Sequence, residues 1–379
     1  MDFVSNTLTR FGYDLIDKGT IPDWILRPAI RYLCRARLSS LPLPDSSFTA
    51  HTYYKSNFVS YLRSLPSITA PGSTTKANKQ HYEVSTEFIL SCLGPRAKYS
   101  ACLWERDSPG EGQIGTRIKR LAEAEEAVLE LYCARATLKD GMDVLDLGCG
   151  WGSLCLYLAE KYPNSRVTGL SNSATQKVYI DSVAKRKNLH NLKIVTGDVN
   201  SFDFDGQQQF DRILSIEMFE HMKNYELLLR KVSTWLKSSS ATVDKSDALL
   251  FIHIFCHKTT PYHFDDDDSW MARTFFSGGT MPSYDLLLHF QSDVTLLQSW
   301  WVNGRHYART LEAWLQLQDK HAKQSLAELE RDAEAKGLGK EEGRKAFYRF
   351  RVFFLACAEF FALNGGEEWG VGHYLFKRK

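Results

Sequence analysis

The chain has 379 residues, 44% of them hydrophobic and 13% aromatic, enough for one large α/β domain with additions or for two domains. A formal net charge of +2 and a pI near 8.0 argue against a nucleic-acid partner and against contact with an anionic membrane. No apolar run approaches the ~18 residues of a membrane helix, and the start Met1-Asp-Phe-Val-Ser-Asn lacks a secretory pattern. Eight scattered cysteines show neither C-x-x-C nor Cys/His metal spacing, so a cytoplasmic chain with reduced thiols and no metal is expected.

Residues 1–45 predict short amphipathic helices, with Leu15, Ile16, Ile21, Trp24, Ile25, Ile30 and Leu33 apolar. Arg27, Arg31, Arg35 and Arg37 lie opposite, which reads as a solvated face or, alternatively, as a contact for lipid headgroups. From Leu41 to Lys79 the chain is rich in Pro, Ser and Thr, which predicts a partly flexible linker. The expected division is an N-terminal helical extension and linker over 1–75 and a catalytic domain over 76–379. A patterned region opens at Gln80-His-Tyr-Glu-Val84 and includes Leu93-Gly-Pro-Arg-Ala-Lys-Tyr-Ser100. A Pro/Gly loop covers 107–115, and helical spacing of Leu121, Ala124, Val128, Leu131 and Tyr132 predicts a helix over 121–136.

That helix leads into Asp143-Val-Leu-Asp-Leu-Gly-Cys-Gly-Trp-Gly152. A buried parallel strand, Val144 to Leu147, carries Asp146 and breaks into Gly148, Gly150 and Gly152 before a helix over 153–162. The third glycine comes one residue earlier than in the dinucleotide fingerprint, and no Lys-Ser/Thr follows as in a P-loop. The spelling resembles the S-adenosylmethionine (SAM) site of class I methyltransferases. Strands over 166–170, 192–196, 210–216 and 248–255 alternate with helices over 174–187 and 225–236. The pattern predicts an α/β, Rossmann-like parallel sheet with ligands beyond its carboxyl ends. Residues 257–345 interrupt the alternation and read as an inserted helical lid with a helix over 307–333. A helix over 347–363 and a strand over 369–376 close the chain.

The strand ends carry the chemistry. Gly148 and Gly150 admit the amino-acid tail of SAM to the backbone. Asn172 and Gln176 are amides where many nucleotide folds place a ribose-binding acid, and Asp198 offers a carboxylate to the adenine amino group. Ser215-Ile-Glu-Met-Phe-Glu-His-Met222 places Glu217, Glu220 and His221 at the next strand end, on a shared face if the turn is helical. Carboxylates hold an ammonium, and a His or Glu takes its proton, while in-line methyl transfer draws much of its rate from positioning.

These motifs, together with Gly19-Thr-Ile-Pro-Asp-Trp24, Ser173-Ala-Thr-Gln176, Phe275-Phe-Ser-Gly-Gly-Thr-Met-Pro-Ser283 and Asn303-Gly-Arg-His-Tyr-Ala308, run nearly end to end. The sequence resembles the cyclopropane-fatty-acid synthase superfamily and, within it, the plant coclaurine N-methyltransferase-like branch. The resemblance implies a class I methyltransferase fold and SAM contacts at Tyr82, Tyr99, Ser100, Gly148, Asn172, Gln176, Asp198, Val199 and Ile216. It also implies that Glu217, Glu220 and His221 hold and deprotonate an amine. Cyclopropane synthases have Tyr-Ser-Cys, the cysteine helping to hold a bicarbonate, where this chain has Tyr99-Ser100-Ala101, and they tend to have glycine at the place of Glu217. Glu220, His253, Tyr307 and Cys357 match positions used in that branch.

The expectation is therefore SAM-dependent N-methylation of a small aromatic or apolar amine, catalysed by Glu217, Glu220 and His221. The segment Trp270 to Phe276, with Trp300, Trp301 and Tyr307, is expected to wall the amine pocket, with His253, Phe276, Tyr307 and Cys357 as substrate contacts. The alternative is methylation or cyclopropanation of lipid acyl chains; a SAM-binding protein without activity is a third reading. A homodimer is left open.

Overall fold

The computed structural model describes residues 12–45, 47–69, 84–106, 116–204, 206, 208–242, 246–264, 270–275 and 278–379. Seven strands form the central sheet: β1 (Asp143–Leu147), β2 (Arg166–Ser171), β3 (Leu192–Thr196), β4 (Arg212–Ile216), β5 (Leu249–His257), β6 (Val294–Val302) and β7 (Trp369–Arg378). Their order is β6-β7-β5-β4-β1-β2-β3. β1 to β5 run parallel, while β7 is antiparallel to both β5 and β6. Strand order reverses at β1, between β2 and β4, and ligands of such sheets bind beyond the carboxyl ends there.

Every residue of β1 and β5 is buried, the pattern of strands covered on both faces. Along β5, Leu250, Ile252 and Ile254 pack with helix Tyr225–Trp235 and with Phe58, Val59 and Leu62 of helix Phe48–Ser64. Phe251 points to the opposite layer, beside Leu129 and Tyr132 of helix Leu121–Arg135. This alternation follows from the two-residue period of a strand. Burying side chains such as Leu250 and Phe251, both 0% exposed, contributes on the order of 2–3 kcal/mol each.

A third apolar cluster covers the carboxyl ends of the strands. It joins helices Asp23–Ser40, Thr86–Cys92, Arg305–Lys320 and Lys340–Ala362 around Trp314, Phe350, Phe354 and Trp369.

Three sequence expectations change. The stretch 257–345 is not only a helical insertion, because it contains β6, an edge strand of the main sheet; its 307–333 helix is two, Arg305–Lys320 and Ala322–Ala335. The linker over 41–79 contains helix Phe48–Ser64, whose first turn is capped by Ser47 accepting from the Ala50 N–H. The arginine stripe is not simply solvated: Arg27 pairs with Glu312 and Glu359, and Arg31 with Glu359, tying helix Asp23–Ser40 to the helices Arg305–Lys320 and Lys340–Ala362 that cap the strand ends. The expected boundary at 75/76 lies outside the described residues.

Candidate active site

The glycine turn after β1 forms the floor of one recess. Gly148 has φ +85°, and a Cβ there would meet Met218 at 2.7 Å; Gly150 has φ +51°, a region L side chains rarely adopt. The recess, about 530 Å³ including its open mouth, is lined by Lys98, Tyr99, Ser100, Asp146, Gly148, Gly150, Trp151, Ser153, Ile216 and Glu217 among others. The Asp146 carboxylate accepts from the Cys155 N–H at 3.1 Å, and burial pushes its pKa up to about 7. Trp151 Nε1, Ser153 Oγ and Gln176 Nε2 are buried without a hydrogen-bond partner. Buried polar atoms are rarely left so, and those of Trp151 and Ser153, which line the recess beside the glycine floor, fit a polar ligand of the SAM kind.

Four other residues expected to hold SAM, Gln176, Asn172, Asp198 and Val199, are not in the lining of this recess. Gln176 is buried and accepts from Ser171 Oγ at 2.8 Å, while Asn172 is exposed at the end of β2. Asp198 Oδ1 accepts from the backbone and side-chain N–H groups of Asn200 at 2.8 and 2.9 Å, so part of its carboxylate shapes its own loop. Val199 packs against the layer of Tyr225–Trp235 and gives its carbonyl to Lys231. Tyr82 and Phe276 lie outside the described residues.

The second recess shares Tyr99 and Glu217 with the first. It encloses about 820 Å³ including its mouth and is walled by Phe255, Phe264, Met281, Tyr307, Leu311, Trp314, Phe353, Cys357, Phe360 and Phe361, with His221 beside Glu217. The expected aromatic wall is partly displaced. Trp300 packs under Arg135, 4.6 Å from its ring centroid, and Trp301 lies edge-on to Tyr284; neither lines this space. Phe275 supports it from behind, stacked on Phe353 at 4.3 Å. Burial raises the Cys357 thiol pKa far from reactive values, so it serves as an apolar wall.

Glu217 links the two recesses. Its φ is +49°, which costs a non-glycine residue about 1 kcal/mol. Its N–H continues β4 by donating to the His253 carbonyl at 2.9 Å. Oε1 accepts from the Ala101 N–H at 2.9 Å and faces His253 Nε2 at 3.0 Å; Oε2 accepts from the Tyr307 hydroxyl at 2.6 Å. Burial raises its pKa, opposed by Lys98 and by these donors. Ala101 thus contributes a backbone N–H where the synthases have cysteine, and Cys102 points away, donating to the Ser100 carbonyl at 3.7 Å.

Glu220 differs. Its Oε1 accepts from the Phe255 N–H at 2.8 Å, and its Oε2 is buried with no partner. Burial and the adjacent Glu217 hold its pKa well above the carboxylate range, so of the two acids it is the one that keeps a proton. Burial lowers His221 to about 4. The turn is helical only over Phe219–His221, so Glu217 does not share a helical face with the other two.

Sequence reasoning missed Lys98, Tyr132, Arg135 and His373. Lys98 Nζ, fully buried, donates to Ser100 Oγ and the Ala101 carbonyl, fixing the segment that presents Ala101 to Glu217. Its place beside Tyr99-Ser100 was the one available signal.

Residues 71–361 match the family described as mycolic acid cyclopropane synthetase. The chain is 36% identical over 368 residues to (S)-coclaurine N-methyltransferase of Thalictrum flavum subsp. glaucum, spanning 96% of this chain and 94% of that protein. A crystal structure of coclaurine N-methyltransferase bound to N-methylheliamine and SAH aligns with a TM-score of 0.86 at 35% identity, covering 98% of this chain and 100% of that one. Similarity to cyclopropane-fatty-acyl-phospholipid synthase of Escherichia coli strain K12 is 30% over 238 residues, 62% of this chain and 54% of that protein. The chain belongs to the mycolic acid cyclopropane synthetase family and is a SAM-dependent methyltransferase.

Proposed function

We propose that the protein methylates the nitrogen of a small, largely apolar amine. One observation carries this reading: Glu217, an acid with three donors on it, lines both the glycine-turn recess and the aromatic one. Tyr99, Ser100, Gly148, Gly150, Trp151, Ser153 and Gln176 hold SAM, which when bound supplies an electrophilic methyl group to a nitrogen lone pair. Rings such as Phe255, Tyr307 and Phe361 exclude water and suit a cation. The Glu217 carboxylate holds the positive nitrogen at the junction. Desolvation in the aromatic recess lowers the ammonium's own pKa. His221, neutral, accepts a hydrogen bond from the nitrogen, and Glu220 takes the proton in its ionised form, the strongest base of the three because burial and Glu217 raise its pKa most.

The acyl-chain alternative is weaker. The Ala101 N–H, His253 and Tyr307 all converge on the Glu217 carboxylate, so donors that a bicarbonate would need are already engaged.

Incubation with methyl-labelled SAM and separate pools of apolar amines and phospholipids tests the reading. Label is expected on amine nitrogen, with a mass gain of one CH₂; label in fatty acyl chains overturns it. Among the described residues no helix is long and apolar enough to cross a membrane. A cytoplasmic location, a homodimer and the division at 75/76 belong to the same proposal, read by fractionation, light scattering and limited proteolysis.

A further inference from the structure

β7 pairs with β5 so that His373 stands directly opposite His253, and β4 pairs with β5 so that Ile216, the neighbour of Glu217, stands beside His253 on its other side. The register therefore lines up Glu217, His253 and His373 across three strands. His373 Nε2 is 2.9 Å from His253 Nδ1, and His253 Nε2 is 3.0 Å from Glu217 Oε1. At the far end an Arg135 guanidinium nitrogen meets His373 Nδ1, its other face resting on the Trp300 ring. The Tyr132 hydroxyl also faces His253 Nδ1, at 2.9 Å. Both histidines are 1% exposed.

Along Arg135, His373, His253 and Glu217 only one arrangement of protons avoids facing N–H groups, and the Tyr132 hydroxyl then shares the single lone pair of His253 Nδ1. A guanidinium donates and never accepts, so His373 Nδ1 presents its lone pair and the ring carries its proton on Nε2. That N–H points at His253 Nδ1, which must then be an acceptor, and His253 in turn carries its proton on Nε2 and donates to Glu217. Protonating either ring on Nδ1 would set an N–H against an N–H. The charged groups facing the string are Glu217, Arg135 and Lys98, whose Nζ lies 5.3 Å from the Tyr132 ring centroid.

We propose that Arg135 and His373 are positioning residues that act through His253: they fix its proton on Nε2 and keep Glu217 a pure acceptor for the positive charge at the junction of the two recesses. His253 is thereby excluded as the base, and the substrate's proton is left to His221 and Glu220. The role of Glu217 rests on the amine reading; the proton arrangement does not.

The test uses the full chain carrying ¹⁵N-labelled histidine rings, with resonances assigned by single substitutions. His253 and His373 are expected to be neutral Nε2–H tautomers at pH 7. H373L should lower kcat for the amine about tenfold or more, the weight of one hydrogen bond to a charged group, with SAH binding unchanged by calorimetry. H373Q should restore most of it, because its amide oxygen accepts from Arg135 and its N–H donates to His253. R135M should repeat the loss from the edge of the fold, and it decides the matter if H373L fails to fold. A wild-type His253 protonated on Nδ1, or full turnover in both H373L and R135M, overturns the proposal. Nε2–H on both rings with no amine methylated leaves the proton arrangement standing and overturns the amine reading instead.

Discussion

Tyr307, on the cap helix Arg305–Lys320, donates its hydroxyl at 2.6 Å to Glu217, the residue just after strand β4. The cap therefore helps to hold the acid at the junction of the two recesses, as well as covering it. Tyr307→Phe deletes one donor and should lower amine kcat/KM about tenfold. Glu217→Gln should cost more, about 100-fold. It removes the charge, and its amide NH₂ must face either the Tyr307 hydroxyl or the pair formed by the Ala101 N–H and His253. Steady-state kinetics beside SAH calorimetry checks both; a loss confined to SAH affinity would contradict the assignment.

Glu220→Gln separates chemistry from support. The amide oxygen can still accept from the Phe255 N–H, so SAH binding and the fold should survive while amine turnover falls about 100-fold. Stability supplies a second readout. Burial and Glu217 raise the folded pKa of Glu220 above its ordinary value of 4.5, so its contribution is full below 4.5 and is lost as pH rises through the folded pKa. The variant stays neutral throughout. Its melting temperature should therefore exceed that of the wild type by a margin that grows with pH, read by thermal scans from pH 5 to 9.

Much of this site was legible because its markers are local. The glycines of the turn after β1, the acid pair at the end of β4 and the amides after β2 sit at strand ends fixed by alternating apolar runs. What escaped depends on register or on broken patterns. β6 has a bulge between Leu296 and Gln298, so an extra residue, Leu297, breaks the two-residue alternation. Helix Phe48–Ser64 is rich in Tyr, Ser and Thr, residues of modest helix propensity, between Pro- and Ser-rich flanks. His373 and Arg135 look unremarkable in sequence, because only the pairing of β7 with β5 brings His373 to His253, and only helix packing brings Arg135 to His373.

Buried histidines should weaken the fold where acid forces them to charge. Burial lowers His221 and His257 to about 4 and His263 to about 3, and drives His253 and His373 well below 6.5. Between pH 6.5 and about 4 the unfolded chain binds protons at these rings that the folded one refuses, so their contribution to stability rises with pH in that window and falls on acidification through it. The buried acids Asp146 and Glu220 contribute with the opposite sign, so the rings are read one at a time: a neutral His257→Gln variant should gain on the wild type in urea midpoint as pH falls from 7 to 5. A constant difference over that range would contradict the neutral state of that ring.

Helix Asp23–Ser40 should tune substrate binding from outside the recess. Arg27 holds Glu312 and Glu359 together, with 2.8 Å to Glu359 and 3.0 Å to Glu312 Oε2, and Arg31 adds a 2.6 Å contact to Glu359. Glu359 is followed on helix Lys340–Ala362 by Phe360 and Phe361, two walls of the aromatic recess. Arg27→Met keeps the aliphatic packing but leaves Glu312 and much of Glu359 without their cation, at a cost of about 2 kcal/mol. Because the glycine turn is untouched, SAH affinity should hold while the amine KM rises. Hydrogen exchange along Asp23–Ser40 should quicken, since that helix would lose its strongest tie to the cap. An unchanged KM with faster exchange would show that the helix stabilises the cap without shaping the recess.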